Sequence, residues 1–372
     1  MTRGTMKNRD IERTIVFTGG GTGGHVFPGL AVLEELKKEW KGEILWVGSK
    51  SGMERNIIEK AGVSYYGIPC GKLRRYFSIK NIIDLFKILF GIISSIALMK
   101  KVKPSLLFSK GGYVSVPPVI AAGRRKIPVI THESDSDPGL ATRLNAKHAD
   151  RICVSFSETL EYLKPEQKKK AVVTGNPIRE AIKHGDPKRG REYLGAPERT
   201  KIIFILGGSQ GALQINRLLE KIIGELTGEY FVVHQVGKAP YKESENEFYK
   251  TFSFIGNEMP DLYAAADLIV SRAGANTLAE ISATAKPCVL IPLMKGAGRG
   301  DQVKNAELYK SRGAARVLAG EEATPENLLN LIQSLLKDSD QMKRMGTAAA
   351  EIMPSNAAEN ILGVINSLLS SR

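Results

Sequence analysis

Short apolar runs alternate with longer stretches of helical periodicity along nearly the whole chain. In the first half, residues 14–18, 44–47, 105–109, 128–131 and 151–154 read as strands. Helical stretches follow most of them, as at 29–39. In the second half, 201–206, 230–236, 251–254, 268–271 and 287–291 read as strands, with helices at 213–226 and 275–285. Strand followed by helix, many times over, predicts an α/β protein with parallel, doubly wound sheets and helices on both faces. Ligands then bind at the carboxyl ends of the strands.

Three glycine-rich turns punctuate this pattern, each after an apolar run: Gly19 to Gly24, Gly111-Gly112, and Gly207 to Gly211. Glycines between a strand and a helix let backbone N–H groups approach an anion closely, and the helix dipole adds roughly half a positive charge there. The first and third turns sit in equivalent settings, so one plan is used twice. At 372 residues the chain exceeds what one core usually covers. We expect two domains, 1–175 and 176–355, divided at the turn-forming cluster Gly175-Asn176-Pro177, with a final helix at 356–372 crossing back to the first.

The hydrophobic fraction of 42% and charged fraction of 25% are those of a globular protein. Cys70, Cys153 and Cys288 lack disulfide or metal spacing and read as free thiols of a reducing cytoplasm. Residues 1–13 lack the apolar segment of a secretory signal, which agrees with that location.

A net charge of +14 raises nucleic acid, anionic lipid and acidic substrates as partners. The densest mixture of basic and apolar residues is 72–103, with Lys72, Arg74, Arg75 and Phe77 ahead of a long apolar run. Asp84 and Lys87 interrupt that run, leaving it short of the ~20 residues a membrane span requires. Ile82, Phe86, Leu89, Ile93 and Ile96 recur at helical spacing, which reads first as a stripe packed on its own domain. Its other reading is an edge that dips into an anionic membrane surface. No recognition-helix or RNA-binding pattern supports nucleic acid.

Gly19, Gly21 and Gly24 satisfy a dinucleotide fingerprint, but the second strand runs into Gly48-Ser49-Lys50 without the ribose-binding carboxylate of a nicotinamide enzyme. Neither turn ends as a P-loop does. The second half offers another arrangement. Gly207 to Ala212 can receive a diphosphate, Glu280 lies one helical turn inside the stretch after Arg272 and can clamp a ribose diol, and Gln302 can both donate to and accept from sugar hydroxyls. Together these describe a nucleotide-sugar pocket.

The segments 20–31 (Gly-Gly-Thr-Gly-Gly-His-Val-Phe-Pro-Gly-Leu-Ala), 111–115, 175–179 and 207–212, with 272–280 and 301–306, resemble in order the motifs of the MurG family of peptidoglycan N-acetylglucosaminyltransferases. The resemblance implies a GT-B fold, two Rossmann-like domains facing across a cleft. It implies inverting transfer of N-acetylglucosamine from UDP-GlcNAc to the MurNAc C4 hydroxyl of undecaprenyl-diphosphate-linked lipid I, giving lipid II, with no cofactor. It further implies that Thr22, Gly23 and Gly24 lie at the donor diphosphate and acceptor. Arg179, Ser209 and Gln210 would contact the UDP-sugar, Ile255 would read uracil through its backbone, Glu280 would hold ribose and Gln302 the GlcNAc hydroxyls. Ala275, Asn276 and Thr277 fall in the same donor elements. Lys72, Arg74, Arg75, Phe77 and Phe86 would belong to a docking face on the cytoplasmic side of the cell membrane, where other cell-wall synthesis proteins work.

Two residues compete as general base. A helix N-terminus disfavours protonated His25, leaving an imidazole able to accept a proton, and Glu133 is its rival. The family pattern usually has a neutral amide where this chain has Asp135, so a sugar or phosphate contact there is in question. Asp135-Ser136-Asp137 mimics a metal-binding D-x-D but reads as an exposed turn, and we expect no metal site. Tyr113 and Phe254 read as packing aromatics. A diacylglycerol glycosyltransferase, a UDP-GlcNAc epimerase and a nucleotide-sugar sensor are the alternative functions.

Overall fold

The computed structural model describes residues 13–72, 79–208, 211–238, 246–294 and 300–371. Its first sheet has seven strands: β1 (Ile15–Thr18), β2 (Ile44–Ser49), β3 (Ser64–Ile68), β4 (Leu106–Ser109), β5 (Val129–Glu133), β6 (Arg151–Val154) and β7 (Ala171–Val173), in the order β3-β2-β1-β4-β5-β6-β7. The second has six: β8 (Ile202–Leu206), β9 (Phe231–Gln235), β10 (Tyr249–Phe252), β11 (Leu268–Ser271), β12 (Cys288–Leu290) and β13 (Ala315–Val317), in the order β10-β9-β8-β11-β12-β13. All five pairings of the second sheet are parallel, as are β1 with β2 and with β4.

Strand order reverses beside β1 in one sheet and beside β8 in the other, and the glycine turns stand at those two places. Thr18 pairs with Ser109, so the turns after β1 and β4 leave neighbouring strand ends. Leu206 pairs with Ser271, so the turn after β8 and the Arg272 segment after β11 do the same. Side-by-side strands whose connections diverge open a crevice at their carboxyl ends.

The central strands are the apolar runs of the sequence. Ile15, Val16, Phe17, Phe204 and Ile205 are wholly buried, and Phe17 packs on Trp46 and Phe108. Strands β3, β7 and β13 are absent from the sequence reading, and β10 begins two residues before the expected 251. All four are edge strands, partly exposed. Their residues therefore lack the continuous apolar run that betrays a central strand.

The described chain divides into two compact units, one of residues 1–132, 140–152 and 362–372, the other of 133–139 and 153–361. Gly175 lies within the second. The three cysteines are free thiols.

The long helix Ile79–Val102 departs from its first reading. Phe86, Leu89 and Ile93 of the apolar stripe point outward, each more than half exposed, together with Ile83, Leu85 and Phe90. Its inner face carries Gly91, Ser95, Leu98 and Met99 instead, and a side chain at Gly91 would collide with the Pro69 carbonyl. Gly91 and Ser95 let the helix lie close there, while Phe86, Leu89, Phe90 and Ile93 are left in solvent. Among the described residues no helix is long and apolar enough to cross a membrane.

Candidate functional site

In the first unit, Thr22 is the N-cap of the helix Gly23–Lys37 but makes no side-chain capping bond. The His25 N–H donates to the Thr22 carbonyl at 3.1 Å. The His25 ring lies against Gly112, where an added Cβ would stand 2.9 Å from its Cδ2 and 2.5 Å from the Gly20 carbonyl oxygen. Gly112 also has φ +78°, so glycine is required twice over. The second glycine turn thus seats the imidazole of the first.

Beneath the first turn lies a group the sequence reading missed. Glu54, at the start of the helix Glu54–Lys60, is wholly buried. Its Oε1 accepts the Ser49 N–H at 2.9 Å and its Oε2 the Gly21 N–H at 3.3 Å. A Cβ at Gly20 would come within 2.7 Å of the carboxylate, and Gly52 packs on its other side. One N–H of the expected anion cradle is therefore turned inward. Burial, with Glu54's charge next in size, raises the Tyr113 hydroxyl above its ordinary range and pushes the Cys70 thiol to about 12. Tyr113 itself covers Gly21 with its ring edge.

Glu133, at the end of β5, has both carboxylate oxygens engaged. Oε1 accepts the N–H groups of Ser134 (2.8 Å) and Asp135 (3.0 Å), and Oε2 accepts that of Gly139 (2.9 Å). It organises the loop that follows it. Asp135 and Asp137 are half-buried rather than exposed as expected, because the helix Asp301–Ser311 holds them. Asn305 donates to Asp135 at 3.1 Å and accepts from the N–H and hydroxyl of Ser136, and Lys304 pairs with Asp137 at 2.7 Å. Asp135 acts here as the acceptor that an ionised carboxylate must be. Among the described residues no group of three or more acidic, His or Cys side chains could hold a metal.

The second unit contains a cavity of about 1060 Å³ at the strand-order reversal. Gly207, Gly211, Arg272, Gly274, Thr277 and Gln302 are among its lining residues. Gly211 has φ +82°, and a Cβ there would lie 2.6 Å from the Val236 carbonyl oxygen. Two helices begin at this cavity, Leu213–Leu226 after Ala212 and Ala275–Ala283 after Gly274, and neither has a side-chain N-cap. Two helix starts without a side-chain N-cap and the Arg272 guanidinium suit an anion, and Arg217, Lys221 and Glu220 also line the cavity. Arg272 is oriented by Gln214 and the Ile291 carbonyl, both at 2.8 Å, and burial lowers its pKa. Gln302 uses Oε1 to accept the Leu293 N–H at 2.9 Å, leaving its amide N–H₂ as the donor.

Glu280, Arg179 and Ile255 are not among the residues lining this cavity. Burial raises the Glu280 carboxyl above the usual carboxylate range, opposed by a hydrogen bond from Tyr263 and by the charge of Arg179. Asn176 ties the 175–177 turn to the same helix, donating to Asn276 Oδ1 at 2.9 Å and to the Ala275 carbonyl at 3.3 Å. Ile255 is buried, but Phe254 beside it is 64% exposed, against the expectation that it packs in the core. It follows the end of edge strand β10.

Lys72 is exposed, as is Phe86. Ser209, Gln210, Arg74, Arg75 and Phe77 lie outside the described residues.

Residues 15–154 match the N-terminal domain of glycosyltransferase family 28, and residues 202–361 its C-terminal domain. The chain is 42% identical, over 97% of its length and 99% of the relative's, to a Treponema denticola protein named UDP-N-acetylglucosamine–N-acetylmuramyl-(pentapeptide) pyrophosphoryl-undecaprenol N-acetylglucosamine transferase. A Clostridium perfringens protein of the same name is 44% identical over 94% of this chain and 97% of its own. Among solved structures, the MurG of Acinetobacter baumannii superposes with a TM-score of 0.75 at 26% identity, over 95% of this chain and 99% of that one.

Proposed function

The chain belongs to glycosyltransferase family 28 in both of its halves, and on that premise we propose how it carries out the transfer for which its relatives are named. It is a hexosyltransferase of GT-B fold that moves N-acetylglucosamine from UDP-GlcNAc to the muramyl sugar of a lipid-linked acceptor. Our reading adds that the acceptor is lipid I, that its C4 hydroxyl attacks with inversion, and that no metal takes part.

The observation that carries this reading is the cavity at the reversal of the second sheet, where two uncapped helix starts and Arg272 converge. A departing diphosphate needs its developing charge met by fixed dipoles and cations, and this cavity offers both. Gln302, with an amide N–H₂ to donate, faces the same space and suits a sugar hydroxyl. Glu280 would accept from the ribose diol and the Ile255 backbone would read the base.

Of the two candidate bases, we assign the role to His25. Glu133 already accepts three backbone N–H groups, and drawing a proton onto it would dismantle its loop. A general base contributes about 10²–10⁴-fold to such a reaction.

The outward apolar strip Ile83, Leu85, Phe86, Leu89, Phe90 and Ile93 supports reversible docking on an anionic membrane, where the lipid acceptor resides. Lys72 and the basic residues that follow it in sequence would add electrostatic attraction worth about 1 kcal/mol per cation. We place the protein on the cytoplasmic face of the membrane, among other cell-wall enzymes.

The test is transfer of labelled GlcNAc from UDP-GlcNAc to a short-chain lipid I analogue in EDTA, beside a diacylglycerol acceptor and an acceptor-free control. Label on the lipid I analogue alone supports substrate, reaction and metal independence together. Label on diacylglycerol, or none on any acceptor, overturns the acceptor assignment.

A further inference from the structure

Tyr263 has no place in the mechanism above, yet it is among the largest wholly buried side chains of the protein. It sits on the short helix Met259–Ala265, and its ring meets Phe204 edge-on with centroids 5.6 Å apart. Leu278, Ala279 and Ile281 belong to the same core cluster. A ring packed on all sides has one orientation, so its hydroxyl has one position. That hydroxyl donates to Glu280 Oε2 at 2.7 Å.

We propose that Tyr263 is a positioning residue for sugar recognition, fixing the Glu280 carboxylate so that the nucleotide's ribose, rather than a deoxyribose, is selected. The inference rests on the reading that Glu280 meets the ribose diol.

The chemistry runs from the core outward. Burial first, and the nearby carboxylate second, raise the Tyr263 hydroxyl far above its ordinary range, so at neutral pH it keeps its proton and serves as donor. Glu280 lies on the helix Ala275–Ala283, whose start opens on the anion cavity. A carboxylate on a flexible side chain has several rotamers, and a bond to a fixed phenol selects one of them. With Oε2 tied to Tyr263, Oε1 and the remaining lone pairs would be the ones to accept from two vicinal hydroxyls. The same bond and the charge of Arg179 oppose the rise in pKa that burial imposes, and so favour the ionised, acceptor-only form that two hydroxyl donors require. Tyr263 need not touch the nucleotide to act in this way.

The experiment measures calorimetric affinities of UDP and 2′-deoxy-UDP for the full-length wild type, Tyr263→Phe and Glu280→Gln. Tyr263→Phe removes one oxygen and leaves the packed ring. The wild type is expected to prefer UDP, Glu280→Gln to lose that preference, and Tyr263→Phe to lower it about tenfold by weakening UDP alone. Equal weakening of both ligands in Tyr263→Phe would mean a merely structural role and overturn the proposal. So would an unchanged preference in Tyr263→Phe while Glu280→Gln abolishes it, and there the ribose reading itself survives. A wild type that binds both ligands equally would overturn the ribose reading and the proposal with it. Because binding is measured without an acceptor, none of these outcomes depends on turnover.

Discussion

The backbone N–H of Gly21 donates to the buried carboxylate of Glu54, at 3.3 Å, instead of facing outward. A glycine turn before a helix is ordinarily read as a set of donors awaiting an anion. Here one donor is already occupied from below by a negative charge, and above it Thr22 begins the helix Gly23–Lys37 without a side-chain cap. The turn is therefore held in shape before any substrate arrives.

Replacing Glu54 by Ala would orphan the N–H groups of Ser49 and Gly21 and leave a void beneath Gly20. An unsatisfied buried donor costs about 1–3 kcal/mol, and the void adds to it. We expect thermal unfolding at a midpoint several degrees lower, with turnover reduced further than stability alone explains. An unchanged midpoint would show that the turn does not depend on this carboxylate.

His25→Ala should lower turnover by about two decades or more while UDP-GlcNAc still binds, since a base acts on the chemical step. Near-normal turnover in the variant would remove His25 from the mechanism.

Gly112→Ala probes the same imidazole from its other side. A methyl group there meets both the His25 ring and the Gly20 carbonyl, at a φ that disfavours any L residue. Steady-state kinetics should show kcat down by about tenfold or more with donor affinity kept. A loss confined to donor affinity would contradict the placement.

Phe86, Leu89, Phe90 and Ile93 changed together to Ser should abolish sedimentation with anionic vesicles. Because these side chains are exposed, each change should alter stability by no more than about 0.5 kcal/mol. Continued sedimentation would show that the strip is not the docking face.

His234, buried in β9, supplies a pH dependence. The Asn216 amide N–H donates to the Val236 carbonyl, which turns Asn216 Oδ1 toward His234 Nε2 at 3.1 Å, while the Tyr249 hydroxyl lies 2.8 Å from Nδ1. Nε2–H therefore donates to Asn216, and in the neutral ring Nδ1 accepts from the Tyr249 hydroxyl. Burial pushes its pKa down to about 4. Between about pH 6.5 and 4 the unfolded chain binds a proton that the folded chain refuses, so stability falls as pH drops through that window. The total is about 3 kcal/mol. His234→Gln should flatten denaturant midpoints between pH 7 and 4.5; an equally steep decline in the variant would assign it to other groups.

The central strands and the three glycine turns were legible because each carries its own local signal: a continuous apolar run, or glycine where φ is positive. Glu54 was not, since an acidic residue opening a short helix looks like an ordinary solvated group. Its signals were Gly20 and Gly52, whose bare Cα atoms make room for the carboxylate. Tyr263 and Asn305 were hidden for another reason. Each acts on a partner distant in sequence, Glu280 in one case and residues 135–136 in the other. In Ile79–Val102 the sequence could not choose between a packed stripe and an exposed edge, because the periodicity is the same whichever side faces the core.

The bond between Ser136 and Asn305 bears on how such a chain can be recombined. Residues 133–139 belong to the second unit although the chain on either side of them belongs to the first. A hybrid joined between the two family segments, at some point in 155–201, would take its Glu133 loop from one parent and its Asn305 helix from the other. Asp135, Ser136 and Asn305 are thus a unit of inheritance that the linear boundary between halves cuts through.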